Sequence, residues 1–475
     1  MNRYETLAHK IEQRIRTGVL LSGEKLPSIR ELSMQEQASP ATVVEAYELL
    51  KDRGLVEARA RSGIYVANVQ SPPLKIHKSS ATFAAPASLN PEDLIQALRQ
   101  AVHNPRIFPF GAAAPLPDFF PVKALNRCIN QALRDEPALI SEYRFPPGTE
   151  SLRTEIARHY ARHGLKLDMD GMVTSGGAIE SIGLALSVVA RPGDIVAVET
   201  PAYYGVLQLL KLLGYKILEI PLDPDRGLTP ERFREALKKS SGSLKALVTV
   251  ANFSNPLGTL VTDEDKQALV QLAKTAGVTI IEDDIYGDLN FSAMRPLPLK
   301  AFDTSDTVVL CGSFSKTISP ALRVGYACSK KHAGALTLQK AVRTTGVTSL
   351  AEDALALYLA GGHYERHVRR IRREYRTLTA QYAGAILAHF PEGTRVSSPA
   401  GGFILWVQLP GKTDSRLVQH KALEQSISVA PGPIFSASHK DYTHYIRINC
   451  AIPWSTQSLK AIQKLAKIVE VASSE

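Results

Sequence analysis

CGSFSKTISPALRVGY, from Cys311 to Tyr326, places one lysine seven residues ahead of one arginine among small and apolar residues. The apolar run at 307–311 is typical of a buried parallel strand, and 323–328 predicts a second strand. The loop between them would lie at the ends of strands, where α/β folds build their sites. Its polar residues are Ser313, Ser315, Lys316 and Arg323.

The polar side chains of this loop share a chemistry. Hydroxyl and guanidinium groups bind phosphate, and a lysine in a mostly apolar setting loses its proton and attacks a carbonyl carbon to form an imine. A ligand that carries both a phosphate and an aldehyde satisfies both requirements. The stretch therefore predicts pyridoxal phosphate (PLP) as cofactor, with an ordinary surface lysine on a loop as the alternative.

Composition sets the class of protein. The chain has 475 residues, 44% of them hydrophobic, which is enough for about three domains. Its polar, charged start has no signal-peptide segment, and no apolar run is long enough to span a bilayer. Four widely spaced cysteines without a CxxC motif fit a reducing compartment. We therefore expect a cytoplasmic protein without a membrane partner, whose net charge of +10 permits a polyanionic partner.

Two further patterns predict surface helices. His159/His163 and His363/His367 are spaced i, i+4, but neither pair has the glutamate of an HExxH motif, so we expect surface positions and no metal site. The densest basic run would wrap around a helix, which favours a solvated helix over a DNA contact. That run comprises Arg366, Arg369, Arg370, Arg372, Arg373 and Arg376.

The first 68 residues predict three helices and a β-hairpin. Ser28 opens a capping box, Ser39 precedes a proline at a first helical position, and Gly54 ends the third helix. Strands at 55–58 and 63–66 would flank a basic tip. Two helices joined by a tight turn, followed by a basic hairpin, predict a small α+β winged helix-turn-helix.

This segment resembles the GntR family of bacterial repressors on the stretch SGEKLPSIRELSMQEQASPATVVEAYELLKDRGLVEARARSGIYV. The resemblance implies a double-stranded DNA operator as partner, with the third helix facing the major groove. The residues it places at DNA are Arg30, Ser39, Thr42, Arg59, Arg61 and Gly63. Because Pro40, Ala41 and Val44 stand where relatives often have polar or basic residues, we expect few base-specific contacts. A helical subdomain without a DNA role is the alternative.

The rest of the chain divides into a linker and a large domain. Residues 69–89 are rich in proline, serine and alanine and have no periodicity, which is typical of a linker. In 90–475, apolar runs such as 195–199, 246–250 and 278–284 alternate with helical segments. This alternation predicts an α/β domain with a mostly parallel sheet.

Polar or aromatic residues follow several of these strands. Gly177 opens a helix whose amides would bind a phosphate, and Tyr203 offers a face to a flat ring. Asn255 would hydrogen-bond a phenolic oxygen, which Tyr286 would also reach. Asp283 would be a buried carboxylate in need of a partner such as a pyridinium nitrogen. Taken singly, each residue is also typical of a turn or of core packing.

The order of these motifs resembles the fold-type I aminotransferases over about 105–470, and the SxSK motif with its arginine is the most specific part. The resemblance implies that Lys316 holds PLP as a Schiff base, the internal aldimine. It implies that Arg447 binds the α-carboxylate of an effector. It also implies that Tyr143 reaches the phosphate in a neighbouring subunit, so that the chain is a homodimer. The implied cofactor-binding residues are Gly177, Ala178, Tyr203, Asn255, Asp283, Tyr286, Ser313, Ser315, Lys316, Arg323 and Tyr143 of the partner.

A GntR-type domain fused to an aminotransferase-like domain resembles the MocR subfamily of regulators over the whole chain. The resemblance implies a transcriptional regulator that senses an amino acid, a related amine or a vitamin B6 compound through PLP on Lys316, with turnover absent or slow. A working aminotransferase with an accessory N-terminal domain is the alternative, and a DNA-binding protein with an inactive domain is another. The complete DNA-binding segment favours the regulator, since an enzyme does not need it.

Overall fold

A computed structural model describes residues 2–16, 20, 24–59, 62–67, 91–102 and 104–474. These residues belong to two units, one within Met1–Thr82 and the other within Phe83–Glu475. The predicted linker at 69–89 and Arg61 lie outside the described residues. Within those that are described, no helix is long and apolar enough to cross a membrane.

The N-terminal unit has the predicted order of three helices and an antiparallel hairpin. Ser28 caps the second helix: its hydroxyl accepts from Glu31 N, and the Glu31 carboxylate accepts from Ser28 N in return. Ser39 caps the third helix in the same way through its hydroxyl. The apolar residues of all five elements share one core. The elements are α1 (Arg3–Arg16), α2 (Ile29–Gln35), α3 (Pro40–Asp52), β1 (Val56–Arg59) and β2 (Gly63–Val66).

The large unit is built on a seven-stranded sheet. Its strands are β3 (Met172–Ser175), β4 (Ile195–Thr200), β5 (Lys216–Pro221), β6 (Leu244–Thr249), β7 (Thr279–Asp283), β8 (Val308–Ser313) and β9 (Gly325–Cys328). The order across the sheet is β3-β9-β8-β7-β6-β4-β5. Strand β9 runs antiparallel to both of its neighbours, and all other pairs are parallel. The predicted α/β class with a mostly parallel sheet is confirmed.

A smaller antiparallel sheet forms the C-terminal part of the large unit, in the order β10-β11-β13-β12. Its strands are β10 (Arg395–Val396), β11 (Ile404–Gln408), β12 (Ala430–Pro431) and β13 (Tyr445–Asn449). Two long helices and a shorter one share a core with this sheet. The site described below takes residues from both sheets.

Helices cover the faces of both sheets, because their apolar residues recur on one side of each helix. They are α4 (Pro91–Val102), α5 (Val122–Asp135), α6 (Glu150–Arg162), α7 (Ala178–Val189), α8 (Tyr204–Leu212), α9 (Pro230–Lys239), α10 (Asp263–Ala276), α11 (Ala333–Thr344), α12 (Ser349–Ala360), α13 (His363–His389), α14 (Ser415–Glu424) and α15 (Thr456–Ser474). Five buried clusters pack them against the strands.

Candidate functional site

A cavity of about 180 Å³ opens at the carboxyl ends of the parallel strands, beside β4, β6, β7 and the loop after β8. Five chain segments that follow strands meet there, beside Ala113, because these strands all end at the same edge of the sheet. The predicted residues in its wall are Ala178, Tyr203, Asn255, Asp283, Tyr286, Ser315, Lys316 and Arg323. The structure therefore brings together most of the residues that the sequence singled out.

Lys316 reaches the cavity from the loop that follows β8. Its Nζ donates a hydrogen bond to the carbonyl of Ala113 at 2.5 Å. Burial and the positive charge of Arg447 lower the pKa of Lys316 to about 8, although Asp283 acts in the opposite direction. A useful fraction of the amine is therefore neutral near pH 7, which is the form that attacks a carbonyl carbon.

Asp283 is the last residue of β7 and is buried. Its Oδ1 accepts from the backbone N–H of Ile285 at 3.2 Å. Burial raises the pKa of Asp283 to about 7, an effect that the Lys316 charge opposes. A carboxylate with so few donors gains from a cationic N–H in the cavity, which is what a pyridinium nitrogen supplies.

Asn255 connects Tyr286, another residue of the cavity wall, with Arg447. Its Nδ2 donates to the hydroxyl of Tyr286 at 3.3 Å, and its Oδ1 accepts from Arg447 Nη1 at 3.2 Å. Burial raises the pKa of Tyr286, so this phenol stays protonated and can donate. The pair therefore offers an amide N–H and a phenol O–H to an oxygen atom on a bound ring.

Arg447, on β13, is a fully buried guanidinium. Its Nη2 donates to the carbonyl of Gly111 at 2.6 Å, and its plane lies over Phe435 at 5.2 Å. Its Nε has no hydrogen-bond partner, and no described carboxylate pairs with it. Burial lowers the pKa of Arg447. Because an uncompensated buried charge costs several kcal/mol, the site is built for an anion that the chain itself does not supply.

Arg323 and the start of α7 form the other end of the cavity. Arg323 Nη1 donates to Ser315 Oγ at 3.4 Å, and Nη2 donates to the carbonyl of Gly176. Gly177 has φ +114, and a Cβ there would lie 2.6 Å from Arg323 Nη2. The first amides of α7, from Ala178 onward, have no partner inside the helix. Guanidinium, hydroxyl and free amides together match a phosphate group.

Ser313 lies beside Ser315, with 2.8 Å between the two hydroxyl oxygens. Its hydroxyl donates to the carbonyl of Val324 at 3.0 Å, and it accepts from Ser315 N at 3.2 Å. These bonds fix the shape of the loop between β8 and β9. Ser313 therefore holds Ser315 in place.

The two predicted tyrosines lie in different settings. Tyr203, just before α8, forms part of the cavity wall and packs on Tyr204 with 4.7 Å between ring centroids. Tyr143 is 82% exposed, stacks on Phe145, and is not among the residues of the cavity wall. An exposed aromatic residue of this kind suits a site completed by a second copy.

The predicted DNA residues lie on one small unit. Arg30 is exposed on α2, while Ser39 Oγ accepts from Thr42 N at 3.1 Å and lies 2.9 Å from the Thr42 hydroxyl. Gly63 begins β2 with φ +118, and Arg59 ends β1. Sequence reasoning missed Lys25, which bridges to the β2 residue Tyr65 and places its Nζ 6.0 Å from that ring.

Glu199, at the end of β4, is a cavity residue that sequence reasoning also missed. Its carboxylate accepts from the Thr249 hydroxyl at 2.8 Å and from Val250 N at 3.1 Å. Burial, and to a lesser degree the charge of Asp283, raises the pKa of Glu199 to about 8. The signal that could have identified Glu199 was a carboxylate at the end of the otherwise apolar run IVAVE.

We expect Glu199→Gln to raise stability at alkaline pH only. The folded-state pKa is above the unfolded value, so the wild-type side chain contributes its stability below about pH 4.5 and loses it as pH rises through 8. Glutamine keeps both acceptor bonds without a charge, so the Tm of the variant should exceed that of wild type by about 2 °C or more at pH 8.5. At pH 5 the two should agree, and the exposed Glu235→Gln should show no such divergence.

The two histidine pairs were predicted as surface residues, and this is wrong for His159 and His367, which are buried. His159 Nε2 lies 3.0 Å from Asp288 Oδ1, and His367 Nε2 lies 2.6 Å from the carbonyl of Thr317. The reason is that α6 and α13 pack under the loop that carries Lys316. A buried hydrogen-bonded histidine and a solvated one have the same spacing in the sequence.

His159, His163 and Asp288 lie close enough to share a cation, with ligand atoms within 4.8 Å of one another. Asp288 already accepts from Arg295 Nε at 2.6 Å. Burial is the largest cause that lowers the pKa of His163, to about 4, and the positive charges nearby add to it. Asp288 is therefore already held by His159 and Arg295, and a cation would meet an arginine there.

The chain matches two protein families. Residues 118–465 match the aminotransferases of class I and II, and residues 3–66 match the bacterial regulatory proteins of the gntR family. Among curated proteins, it is 35% identical over 470 residues to the uncharacterized HTH-type transcriptional regulator YjiR of Escherichia coli (strain K12), covering 99% of each chain. It is 34% identical over 472 residues to YdcR of the same strain, again covering 99% of each chain.

Solved structures give the same result for the large unit. The Pyrococcus horikoshii kynurenine aminotransferase in complex with PMP has a TM-score of 0.74 and 26% identity, over 84% of this chain and 98% of that one. The multiple substrate aminotransferase of Thermococcus profundus has a TM-score of 0.74 at 24% identity, over 80% of this chain and 95% of that one. The second similarity concerns the fold alone.

Proposed function

The chain belongs to the transcriptional regulators that join a GntR-family DNA-binding domain to a PLP-dependent aminotransferase domain of class I and II, as in the MocR subfamily, and we propose that it detects an amino acid or related amine in the cavity around Lys316. In this proposal, residues 1–68 bind DNA, 69–89 are a linker, and 90–475 bind cofactor and effector and form the dimer. Such a protein would act in the cytoplasm.

The cavity fits PLP at each of its functional groups. Arg323, Ser315 and the amides at Gly177 suit the phosphate, and Asp283 suits the ring nitrogen. Asn255 and Tyr286 suit the phenolic oxygen. When bound, PLP supplies an electrophilic carbon that amines attack. In this arrangement Lys316 would anchor the cofactor.

The observation that supports an amino-acid effector is the buried, unpaired Arg447 on the far side of Asn255 from Tyr286. In a ligand with both an amine and a carboxylate, the amine would lie at the Lys316 end of the site and the carboxylate would pair with the Arg447 guanidinium. A bidentate pair with a carboxylate would satisfy the free Nε and compensate the charge. An amine without a carboxylate would leave Arg447 unpaired.

A screen of amino acids and amines, read by visible absorption, tests the proposal. The effector should change the spectrum of the cofactor and also change the affinity of the full chain for operator DNA. Keto acid release should be slow or absent, since a sensor gains nothing by consuming its signal. If the protein has taken up PLP and none of the tested amines and amino acids changes its spectrum, the proposal is contradicted.

A working aminotransferase is the second candidate, because Lys316, Asp283, Asn255 and Tyr286 all line one cavity. Lys316, with its pKa lowered to about 8, could also move a proton once a substrate amine replaces it. Turnover near the typical enzyme rate of about 10 per second, with DNA binding indifferent to the amino donor, would favour the enzyme.

DNA binding is expected to depend on the start of α3 and on α2. Replacing Thr42 with valine, which has nearly the same shape, or Arg30 with glutamine should weaken operator binding by about tenfold each. Lys51→Gln, at the opposite end of α3, should change it less than twofold. The cofactor spectrum should be the same in all three variants. Full binding by a chain that lacks residues 1–68 would contradict the assignment.

The large domain is expected to dimerise around Tyr143. A dimer should sediment at micromolar concentration, and Tyr143→Phe should lower the affinity for PLP, because the hydroxyl would no longer reach the phosphate in the partner. Replacing Tyr65, a tyrosine of the N-terminal unit, with phenylalanine is the control and should leave PLP affinity unchanged. A monomer that binds PLP normally would contradict the shared site.

A further inference from the structure

A row of arginines runs along the exposed side of α13. Arg366, Arg369, Arg373 and Arg376 are exposed, at spacings of three, four and three residues, which places them on one face of the helix. We call these four residues the arginine face. The sequence predicted that the basic run wraps around a solvated helix. Its two other arginines are half-buried: Arg370 pairs with Glu374 at 3.0 Å, and Arg372 donates to a backbone carbonyl.

The arginine face is one wall of a groove of about 600 Å³. The other wall is the 290–293 segment that follows β7, and Arg372 closes the floor with its Nε donating to the carbonyl of Asp288 at 2.6 Å. The helix is held in place by buried residues on its opposite side, such as Ile371 and Tyr375. The groove is therefore a fixed feature of the large unit.

The four guanidinium groups have no carboxylate partner among the described residues. Arg366 contacts the ring of His363 at 3.3 Å, and Arg369 Nε donates to the carbonyl of Glu365, both on the same helix. The two acidic side chains of this part of α13 are used by other arginines: Glu365 pairs with Arg162, and Glu374 pairs with Arg370. The face presents its charge to solvent uncompensated.

The distribution of charge along the chain also favours a polyanion-binding surface outside residues 1–68. Residues 1–68 contain ten Lys and Arg against nine Asp and Glu, a net charge of +1, so the remaining +9 of the total of +10 belongs to residues 69–475. Non-specific DNA affinity comes almost entirely from phosphate neutralisation. The DNA-binding domain thus carries little of the charge that would attract a polyanion.

We infer that the arginine face binds the phosphate backbone of double-stranded DNA, as a second contact besides residues 1–68. The inference rests on the proposed function, because a chain that does not bind DNA has no use for it. All four cations are arginines, which bind phosphate oxygens in bidentate pairs. The face extends over about 15 Å of helix, which is the axial length over which one DNA strand carries about four phosphates. Attachment to the first domain through the same chain raises the local concentration of DNA, so the contact can be weak alone.

The test is the salt dependence of DNA binding by the full chain with PLP bound. A labelled 60-base-pair duplex of mixed sequence is the probe, and anisotropy gives the affinity from low to moderate salt. In the variant with Arg366, Arg369, Arg373 and Arg376 all changed to Gln, the slope of log K against log salt should fall by about 2–4, roughly 0.9 for each phosphate that is no longer neutralised. Affinity at low salt should fall at least about tenfold.

A charge-matched control removes four positive charges from α9 instead. Its residues are Arg232, Arg234, Lys238 and Lys239, all exposed and each changed to Gln. The control should keep most of the wild-type slope. Equal slopes in the two quadruple variants would overturn the inference, because net charge alone would then explain the loss. Arg373→Glu is a single change at an exposed residue, and it should weaken binding even if the quadruple variant folds poorly.

The outcomes separate this inference from the proposed function. If wild type binds the duplex and the arginine-face variant binds it equally well, only the second contact fails. If wild type does not bind DNA, the proposed function fails with it. Vesicles of phosphatidylserine and phosphatidylcholine provide the other comparison: a variant that loses vesicle binding while DNA binding is unchanged would overturn the DNA inference in favour of a membrane surface.

Discussion

Replacing Arg447 with alanine is expected to abolish the response to a carboxylate-bearing effector, with affinity lowered at least about 100-fold. Truncating one partner of a buried, hydrogen-bonded charge pair costs about 2–5 kcal/mol or more. PLP should still bind, since Arg447 contacts Asn255 and Gly111 but no residue at the phosphate end. Titration of the effector by absorption, with and without operator DNA, measures both effects.

A second substitution at Arg447 is expected to increase the stability of the protein. Without ligand, Arg447 is a fully buried charge with an unpaired Nε, so the apolar variant Arg447→Met should be more stable than wild type, by about 1–3 kcal/mol. Arg416→Met is the control, because Arg416 already pairs with Asp414 near the surface. A variant that loses stability as well as the effector would indicate that Arg447 is structural.

Replacing Lys316 with alanine is expected to remove covalent attachment of the cofactor completely. Reduction of the wild-type protein with borohydride should add the mass of the cofactor to the peptide that contains Lys316 and to no other lysine peptide. The alanine variant should show no addition, and its response to amines should be lost. Attachment at another lysine in wild type would contradict the assignment.

The rate of attachment should also depend on pH in a defined way. With a pKa of about 8, roughly one in ten Lys316 amines is neutral at pH 7, against roughly one in three thousand at the ordinary value of 10.5. Uptake of PLP by protein stripped of cofactor should therefore rise with pH and level off just above 8. Continued increase up to pH 10 would show that the amine is not perturbed.

Much of the fold was accessible from the sequence because local signals agreed with it. The caps at Ser28 and Ser39 are local signals that predict where a helix begins, and in the structure a helix begins directly after each of them. Short apolar runs between helical segments predicted the parallel strands, and the polar residues after them predicted where the cavity lies. The order of strands and polar residues along the chain was enough to predict the cavity, because the carboxyl ends of parallel strands meet at one edge of the sheet.

Other features depend on contacts that no local pattern encodes. The strand after Arg323 runs antiparallel to both neighbours, which follows from the path of the loop and not from its apolar residues. Ser313 and Ser315 look equivalent in the motif, yet only Ser315 contacts Arg323. The role of Glu199 emerges only when the ends of β4, β6 and β7 are brought together.

Arg447 and Lys316 belong to different sheets of the large unit, the first to a strand of the antiparallel sheet and the second to a loop of the parallel one. An amino acid held by both groups would tie these sheets together through its own backbone. An amine without a carboxylate would fill the cavity without forming this bridge. Such a compound should therefore change operator affinity less than an amino acid does.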